Sequence, residues 1–278
     1  MKAAKGALKF LLGLGIMFCA IALVISIFTH VTMLNSNFYV NSLNKSNYFT
    51  YLRQEIDYSF KNYSLTTSIP EKVFAGAVSD EAIKTLTTDN INNTMDYMKY
   101  KKSYVDEKID TSGFDTGIKT YASGSGADSS QLATATAEAS TIVNSHAILF
   151  DLSLVTKYKE FQAFRKVIFT IYDKLYVMIA AFSALVLLLF LLSRKSFGTF
   201  SLWLGGSLLA ASMVILIPGL MALIFNVPYR FAVDNYYLKV ALSSITLGYI
   251  KYLLISGALL LAAGATLLYR GINEGEAL

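Results

Sequence analysis

The chain has 278 residues, of which 54% are hydrophobic and 15% are charged, and its formal net charge is +5. This composition is too apolar for a disordered chain or an ordinary soluble protein. A single cysteine excludes a disulfide framework and any cysteine pair for a metal or redox site, and two histidines leave little material for metal binding. We therefore expect neither a metal ion nor a cofactor.

Four apolar runs are each about 18 residues long or longer, which is enough to cross a hydrocarbon layer about 30 Å thick. Because backbone groups in lipid must form hydrogen bonds within their own segment, each run is predicted to be a helix. The runs cover residues 8–33, 175–192, 200–225 and 252–269. The sequence thus predicts an all-α integral membrane protein whose four transmembrane helices form a compact bundle.

Basic residues indicate which side of the membrane is cytoplasmic. They stand before the first run, between the second and third runs, and after the fourth: Lys2, Lys5, Lys9, Arg194, Lys195 and Arg270. By the positive-inside rule these points lie in the cytoplasm, so both termini are expected there, with the protein in the plasma membrane. The first run exceeds the apolar length of a signal peptide and no small-residue cleavage site follows it, so we interpret it as a retained anchor.

The segment 35–173, between the first two runs, is then expected to fold outside the cell. Apolar residues recur there at helical spacing, as in Leu52, Ile56 and Phe60, and alternating strand patterns of useful length are absent. We predict a helical extracytoplasmic domain. Nucleic-acid binding is excluded, because the positive charge of the chain is placed at the membrane anchors and forms no contiguous polar face.

Three further segments complete the predicted organisation. Turn residues between Tyr104 and Ser130 predict irregular structure with a flexible Gly124–Gly126 connection. A helical stripe over 132–161, broken near 151–156, leads towards the second span. The domains are therefore 1–34, 35–173 and 174–278. In the last of these, 226–250 is either an amphipathic outer loop at the interface or a continuation of the fourth helix.

Small residues recur at helical spacing in three of the runs, where they would let a neighbouring helix approach closely. These helix-packing candidates are Gly15, Cys19, Ala22, Ser26, Gly205, Gly206, Ala210, Ala258 and Ala262. Pro218 and Gly219 are predicted to kink the third span, as a hinge or as part of a packed span.

The two histidines are the candidate catalytic residues. His30 lies on the small-residue stripe of the first run, so it either packs between helices or acts as a general base or proton relay. His146 lies on a mostly apolar helix face, where it either holds one core hydrogen bond or works with a nearby carboxylate.

No readable nucleophile–base pair, metal cluster or phosphate loop points to an enzyme. The leading hypothesis is therefore a non-enzymatic scaffold, accessory subunit or sensor whose outer domain binds another envelope component. One alternative is a transporter or channel subunit whose pore forms in a homo-oligomer. Another is a membrane-surface enzyme that acts on lipid or cell-wall precursors. Expected partners are membrane lipids and a protein, and the Lys, Asn and Tyr richness suggests a bacterial source.

Overall fold

The computed structural model describes residues 2–67, 69–104, 108–125, 129–194 and 196–275. In these ranges every regular element is a helix, and no strand is present. The predicted all-α class is confirmed. The predicted flexible connection at Gly124–Gly126 lies partly outside the described residues.

Eleven α-helices lie within the described part of the chain. In order they are α1 Lys2–Phe28, α2 Ser36–Lys45, α3 Tyr48–Thr67, α4 Glu71–Ala77, α5 Asp80–Met98, α6 Ser112–Ser125, α7 Ser129–Ala147, α8 Lys159–Asp173, α9 Leu175–Ser193, α10 Phe197–Ile224 and α11 Tyr236–Gly275. A π-helical turn, Thr29–Met33, follows α1, and 3-10 turns cover Val155–Lys157 and Val227–Tyr229.

The chain divides into two compact units. The first, called here the apolar unit, comprises residues 1–35, 166–231 and 246–278. The second, the polar unit, comprises residues 36–165 and 232–245. Each unit has its own buried side chains, and each is described separately below.

In the described part of the chain, four helical segments are long and apolar enough to cross a membrane, as predicted. They are Lys5–Met33, Leu175–Ser193, Phe197–Ile224 and Tyr236–Glu274. The third begins earlier than expected because Ser196 caps it, its Oγ accepting the backbone N–H of Thr199 at 3.2 Å. The outer loop predicted over 226–250 is helical from Tyr236 onward, which corresponds to the alternative of a continued fourth helix.

In the apolar unit, α1 packs against α9 and α10. The buried side chains at this contact come from all three helices: Ile16, Ala20, Leu189, Phe200, Leu204, Leu208 and Ala211. Helix α11 lies against α10 at glycines. A Cβ added to Gly205 would come within 2.8 Å of the Gly264 carbonyl oxygen, so the two backbones are in direct contact there.

In the polar unit, α3 packs against α4 and α7, and the Phe60 ring of its buried stripe also reaches α6. The Phe60 ring lies 5.8 Å from that of Phe74 on α4 and 6.0 Å from that of Phe114 on α6. Helix α6 corrects the prediction of irregular structure between Tyr104 and Ser130. Its turn-forming composition is outweighed because Phe114 and Ile118, one turn apart, are completely buried.

The predicted break in the long stripe near 151–156 is present, since α7 ends at Ala147 and α8 begins at Lys159. Side chains of α5 form hydrogen bonds with the end of α7 and with the segment that connects α7 to α8. The Asn90 side chain accepts the backbone N–H of Phe150 at 2.9 Å and donates to the Phe150 carbonyl at 3.0 Å. Thr87 donates to the carbonyl of Ala147 at 2.9 Å. The Thr87 bond satisfies a carbonyl that the end of α7 leaves free, and the Asn90 bonds satisfy backbone groups of the connecting segment.

Candidate functional site

The polar unit gathers hydroxyl groups around His146, near the end of α7. Its Nε2 lies 3.0 Å from the Oγ of Ser59 on α3, and its Nδ1 lies 3.2 Å from the hydroxyl of Tyr237 in the first turn of α11. His146 and Ser59 are half-buried, whereas Tyr237 is buried. Three helices that are far apart in sequence therefore meet at one imidazole.

A second tyrosine lies behind the first. The Tyr48 ring centroid is 6.0 Å from that of Tyr237, and the Tyr48 hydroxyl is buried with no hydrogen-bond partner among the described residues. Burial, with a smaller contribution from Tyr237, raises the pKa of Tyr48 far above its ordinary value. Tyr48 is therefore a neutral phenol at physiological pH.

Two opposed effects set the charge of His146. Burial lowers the pKa of His146, and the nearby Glu55 carboxylate partly offsets this by favouring the charged form. The net shift is downward, so the imidazole is neutral at pH 7. A neutral imidazole accepts a hydrogen bond at one nitrogen and donates at the other, which matches a hydroxyl on each side.

The Ser59–His146 contact has the separation of a nucleophile and its general base. The group hydrogen-bonded to His146 on its Nδ1 side is the Tyr237 phenol, and the nearby carboxylate, Glu55, acts on the imidazole through its charge. A phenol orients the ring but stabilises a developing imidazolium less well than a carboxylate does. The arrangement therefore joins three helices and offers at most a weak base.

His30 lies in the apolar unit, in the π-helical turn after α1. Its ring stacks on Tyr172 of α8, with ring centroids 3.8 Å apart and an interplanar angle of 8°. His30 Nδ1 lies 3.3 Å from the carbonyl of Ser26, and the Ser26 hydroxyl donates to the carbonyl of Ile171 at 2.8 Å. These contacts place His30 at a junction of α1 and α8, and its catalytic role stays a prediction.

The predicted packing residues of α1 and α10 have different surroundings. A Cβ on Gly15 would meet Leu185 of α9 at 3.5 Å, and Cys19 and Ala22 on the same helix are half-buried. In α10, Gly205 touches α11, whereas a Cβ on Gly206 would meet nothing within 4 Å and Ala210 is exposed.

The predicted packing residues of α11, Ala258 and Ala262, are exposed. A packing role for them would need another molecule. Three glycines of α11, Gly257, Gly264 and Gly271, lie directly against α10, and sequence reasoning missed them. Their spacing of seven residues, which a straight helix brings to nearly the same face, was the available signal.

Pro218 and Gly219 lie inside the continuous helix α10. A Cβ on Gly219 would come within 3.1 Å of Leu254, so this position lies against α11. The neighbouring Pro218 is exposed. The hinge role predicted for this pair stays a prediction.

Sequence reasoning also missed a buried arginine in the polar unit. The Arg165 guanidinium carbon lies 3.6 Å from the ring centroids of both Tyr97 and Tyr100, and its side chain donates to the carbonyl of Tyr97. Arg165 is only 7% exposed. Cation–π contacts and this hydrogen bond stabilise it in place of a carboxylate.

Among the described residues, no group of three His, Cys, Asp or Glu side chains could hold a metal ion. Comparison with models of known protein families, with curated proteins and with solved structures gives no match for this chain. Its function is therefore inferred from its own residues and contacts.

Proposed function

We propose that the chain is a non-enzymatic plasma-membrane protein whose polar unit lies outside the cell and binds a protein partner through α3. The observation that carries the proposal is the outer face of that helix. Tyr58 and Leu65 are 60% and 78% exposed, and they stand seven residues apart on one side. Lys61, also exposed, lies between them.

The exposed face is separate from the core of the polar unit. Leu52, Ile56 and Phe60 on the opposite side of α3 are completely buried, so the fold does not require Tyr58 or Leu65. Neighbouring large apolar side chains that a fold leaves in water mark interaction surfaces, and tyrosine is enriched at the centres of interfaces. Such a surface fits a partner protein that has an apolar groove with acidic groups at its rim, because the groove would hold Tyr58 and Leu65 and the acidic groups would pair with Lys61.

The side of the membrane follows from charge. Lys5, Lys9, Arg194 and Arg270 flank the ends of spans that the positive-inside rule assigns to the cytoplasm. The polar unit is joined to the opposite ends of these spans, which supports an extracytoplasmic location.

A crosslinking experiment tests the α3 surface directly. A photoreactive amino acid at Asn62, which is exposed beside Lys61, is expected to crosslink one defined protein in living cells when the full chain carries it. Leu65→Gln should abolish that adduct, because it removes an apolar contact beside the probe. Leu154→Gln is the matched control, since Leu154 is also a leucine of the polar unit and is 75% exposed.

The result also separates the proposal from non-specific adhesion. Adducts that survive Leu65→Gln, or that Leu154→Gln removes equally, contradict binding through α3.

One observation favours a second candidate, a membrane-surface enzyme that works by acyl transfer. This is the 3.0 Å contact between Ser59 Oγ and His146 Nε2. A fluorophosphonate probe should then label Ser59 of the intact protein, and Ser59→Ala should abolish labelling. Ser64→Ala on the same helix serves as control, because its hydroxyl is exposed and bonded to its own helix. An unlabelled wild-type protein would eliminate this candidate.

A further inference from the structure

The apolar unit contains a recess between α1 and α10 that the protein itself does not fill. It has a volume of about 480 Å³. Phe10, Leu14 and Met17 line it from α1, and Leu202, Trp203 and Ala210 line it from α10. This volume falls within the range of small-molecule sites, roughly 300–1,000 Å³.

The missing side chain of Gly206 keeps the recess open, because a Cβ there would meet nothing within 4 Å. Gly13, on the facing helix, also forms part of the wall and lies close to α10, since a Cβ there would come within 3.1 Å of the Ser207 hydroxyl. The Ser207 hydroxyl donates to the carbonyl of Trp203 at 2.8 Å, so this polar group of the wall is already satisfied. The remaining surface is apolar and suits a hydrocarbon chain.

The position of the recess along the span indicates the charge of its ligand. It occupies the first half of the Lys5–Met33 span, and Phe10 directly follows Lys9. Lys5 is exposed and Lys9 half-exposed, and both precede the first lining residue, Phe10, on α1. The edge-to-face contact of Phe10 with Trp203, with centroids 6.4 Å apart, lies close to this basic end. Tryptophan favours the headgroup layer of a bilayer.

We propose that this recess binds one acyl chain of an anionic phospholipid, whose headgroup phosphate is held by Lys5 and Lys9. Basic residues beside a pocket between transmembrane helices are a recognised lipid site. A second copy of the chain is the less favourable occupant. Two copies share one orientation in the membrane, so pairing through this face would bring their Lys5 and Lys9 side chains together.

Photocrosslinking of the full chain tests the proposal. Phosphatidylglycerol with a diazirine in its acyl chain is added to the protein in mild detergent, and adducts are mapped by mass spectrometry. Adducts are expected at Met17 and Trp203, with fewer from phosphatidylethanolamine carrying the same chain. Lys9→Gln should reduce the preference for phosphatidylglycerol about fivefold, because each basic residue near a membrane surface contributes about a factor of five to anionic binding.

Two leucine substitutions provide the matched comparison. Gly206→Leu fills the recess and should remove the adducts there, whereas Ala262→Leu, at an exposed position on α11, should leave them unchanged. The wild-type adduct map is decisive even if Gly206→Leu does not fold. Adducts spread evenly over the spans, adducts that survive Gly206→Leu, or equal labelling by both lipids would each overturn the proposal. Adducts absent from the recess of a stable dimer would assign the face to a second copy and overturn it as well.

Discussion

Adjacent glycines of α10 provide a sharp test of how α10 and α11 are packed. A Cβ on Gly205 would lie 2.8 Å from both the Gly264 carbonyl oxygen and the Leu268 nitrogen, whereas a Cβ on Gly206 would meet nothing. Ordinary contact begins at 3.4 Å, so Gly205→Ala must separate the two backbones by about 0.6 Å. Because both contacts are with backbone atoms, no side chain can move aside to relieve the overlap.

Two effects determine how much the two variants differ in free energy of unfolding. Replacing glycine with alanine favours either helical position by up to about 1 kcal/mol, so this gain cancels between the two variants. Overpacking costs about 1–3 kcal/mol and applies only to Gly205→Ala. The free energy of unfolding of Gly205→Ala is therefore expected to be about 1–3 kcal/mol below that of Gly206→Ala.

The single tryptophan, Trp203, is a reporter on the same helix. Thermal unfolding in detergent, followed by Trp203 fluorescence, should give a midpoint several degrees lower for Gly205→Ala than for Gly206→Ala. Equal midpoints, or a lower midpoint for Gly206→Ala, would refute the direct backbone contact between α10 and α11.

Three further predictions concern the polar unit. Arg165→Lys should lower the free energy of unfolding by about 1–3 kcal/mol in a denaturant titration, because lysine cannot reproduce the stacking between two tyrosines. Asn90→Ala should cost about 1–3 kcal/mol in the same titration, since it leaves the backbone N–H of Phe150 without its partner, while the Phe150 carbonyl keeps the Tyr104 hydroxyl as a donor. Acidification below about pH 6.5 should destabilise the wild type more than His146→Gln. The depressed pKa of His146 stabilises the fold above its ordinary pKa, and this stability is lost as pH falls towards the folded value. Thermal midpoints at pH 7.5 and 5.5 measure the difference, and parallel shifts would contradict it.

The four apolar helices of the described residues could be predicted from sequence because they depend on local properties. A run of apolar residues long enough to cross a bilayer is visible without knowledge of its neighbours, and the structure has helices at all four. The predicted ends of these helices were less accurate. Hydropathy marks neither a cap such as Ser196 nor the polar start of a helix, as at Tyr236.

Helix α6 shows where local reasoning fails. The composition of 112–125 favours turns, yet the segment is helical because Phe114 packs against Phe60 more than fifty residues earlier in the chain. A single segment cannot reveal such a contact. The buried stripe of Phe114, Ile118 and Ala122 at four-residue spacing was the signal that turn residues obscured.

Of the residues in the candidate site, only the central one could be predicted from the sequence. His146 stood out as one of two histidines, but its partners Ser59 and Tyr237 are 87 and 91 residues away in the chain. Likewise, small residues appear on several faces of α10 and α11. Only the structure distinguishes Gly264, which touches α10, from Ala262, which is exposed.

The side of the membrane on which the polar unit lies is the central claim, and cysteine accessibility tests it most directly. The native Cys19 is replaced by serine, and one cysteine is placed at Lys61 in the polar unit or at Glu274 near the end of α11, both exposed positions. A membrane-impermeant maleimide applied to intact cells should label Lys61→Cys and leave Glu274→Cys unlabelled until the membrane is permeabilised. Labelling of Glu274→Cys alone in intact cells would contradict the account.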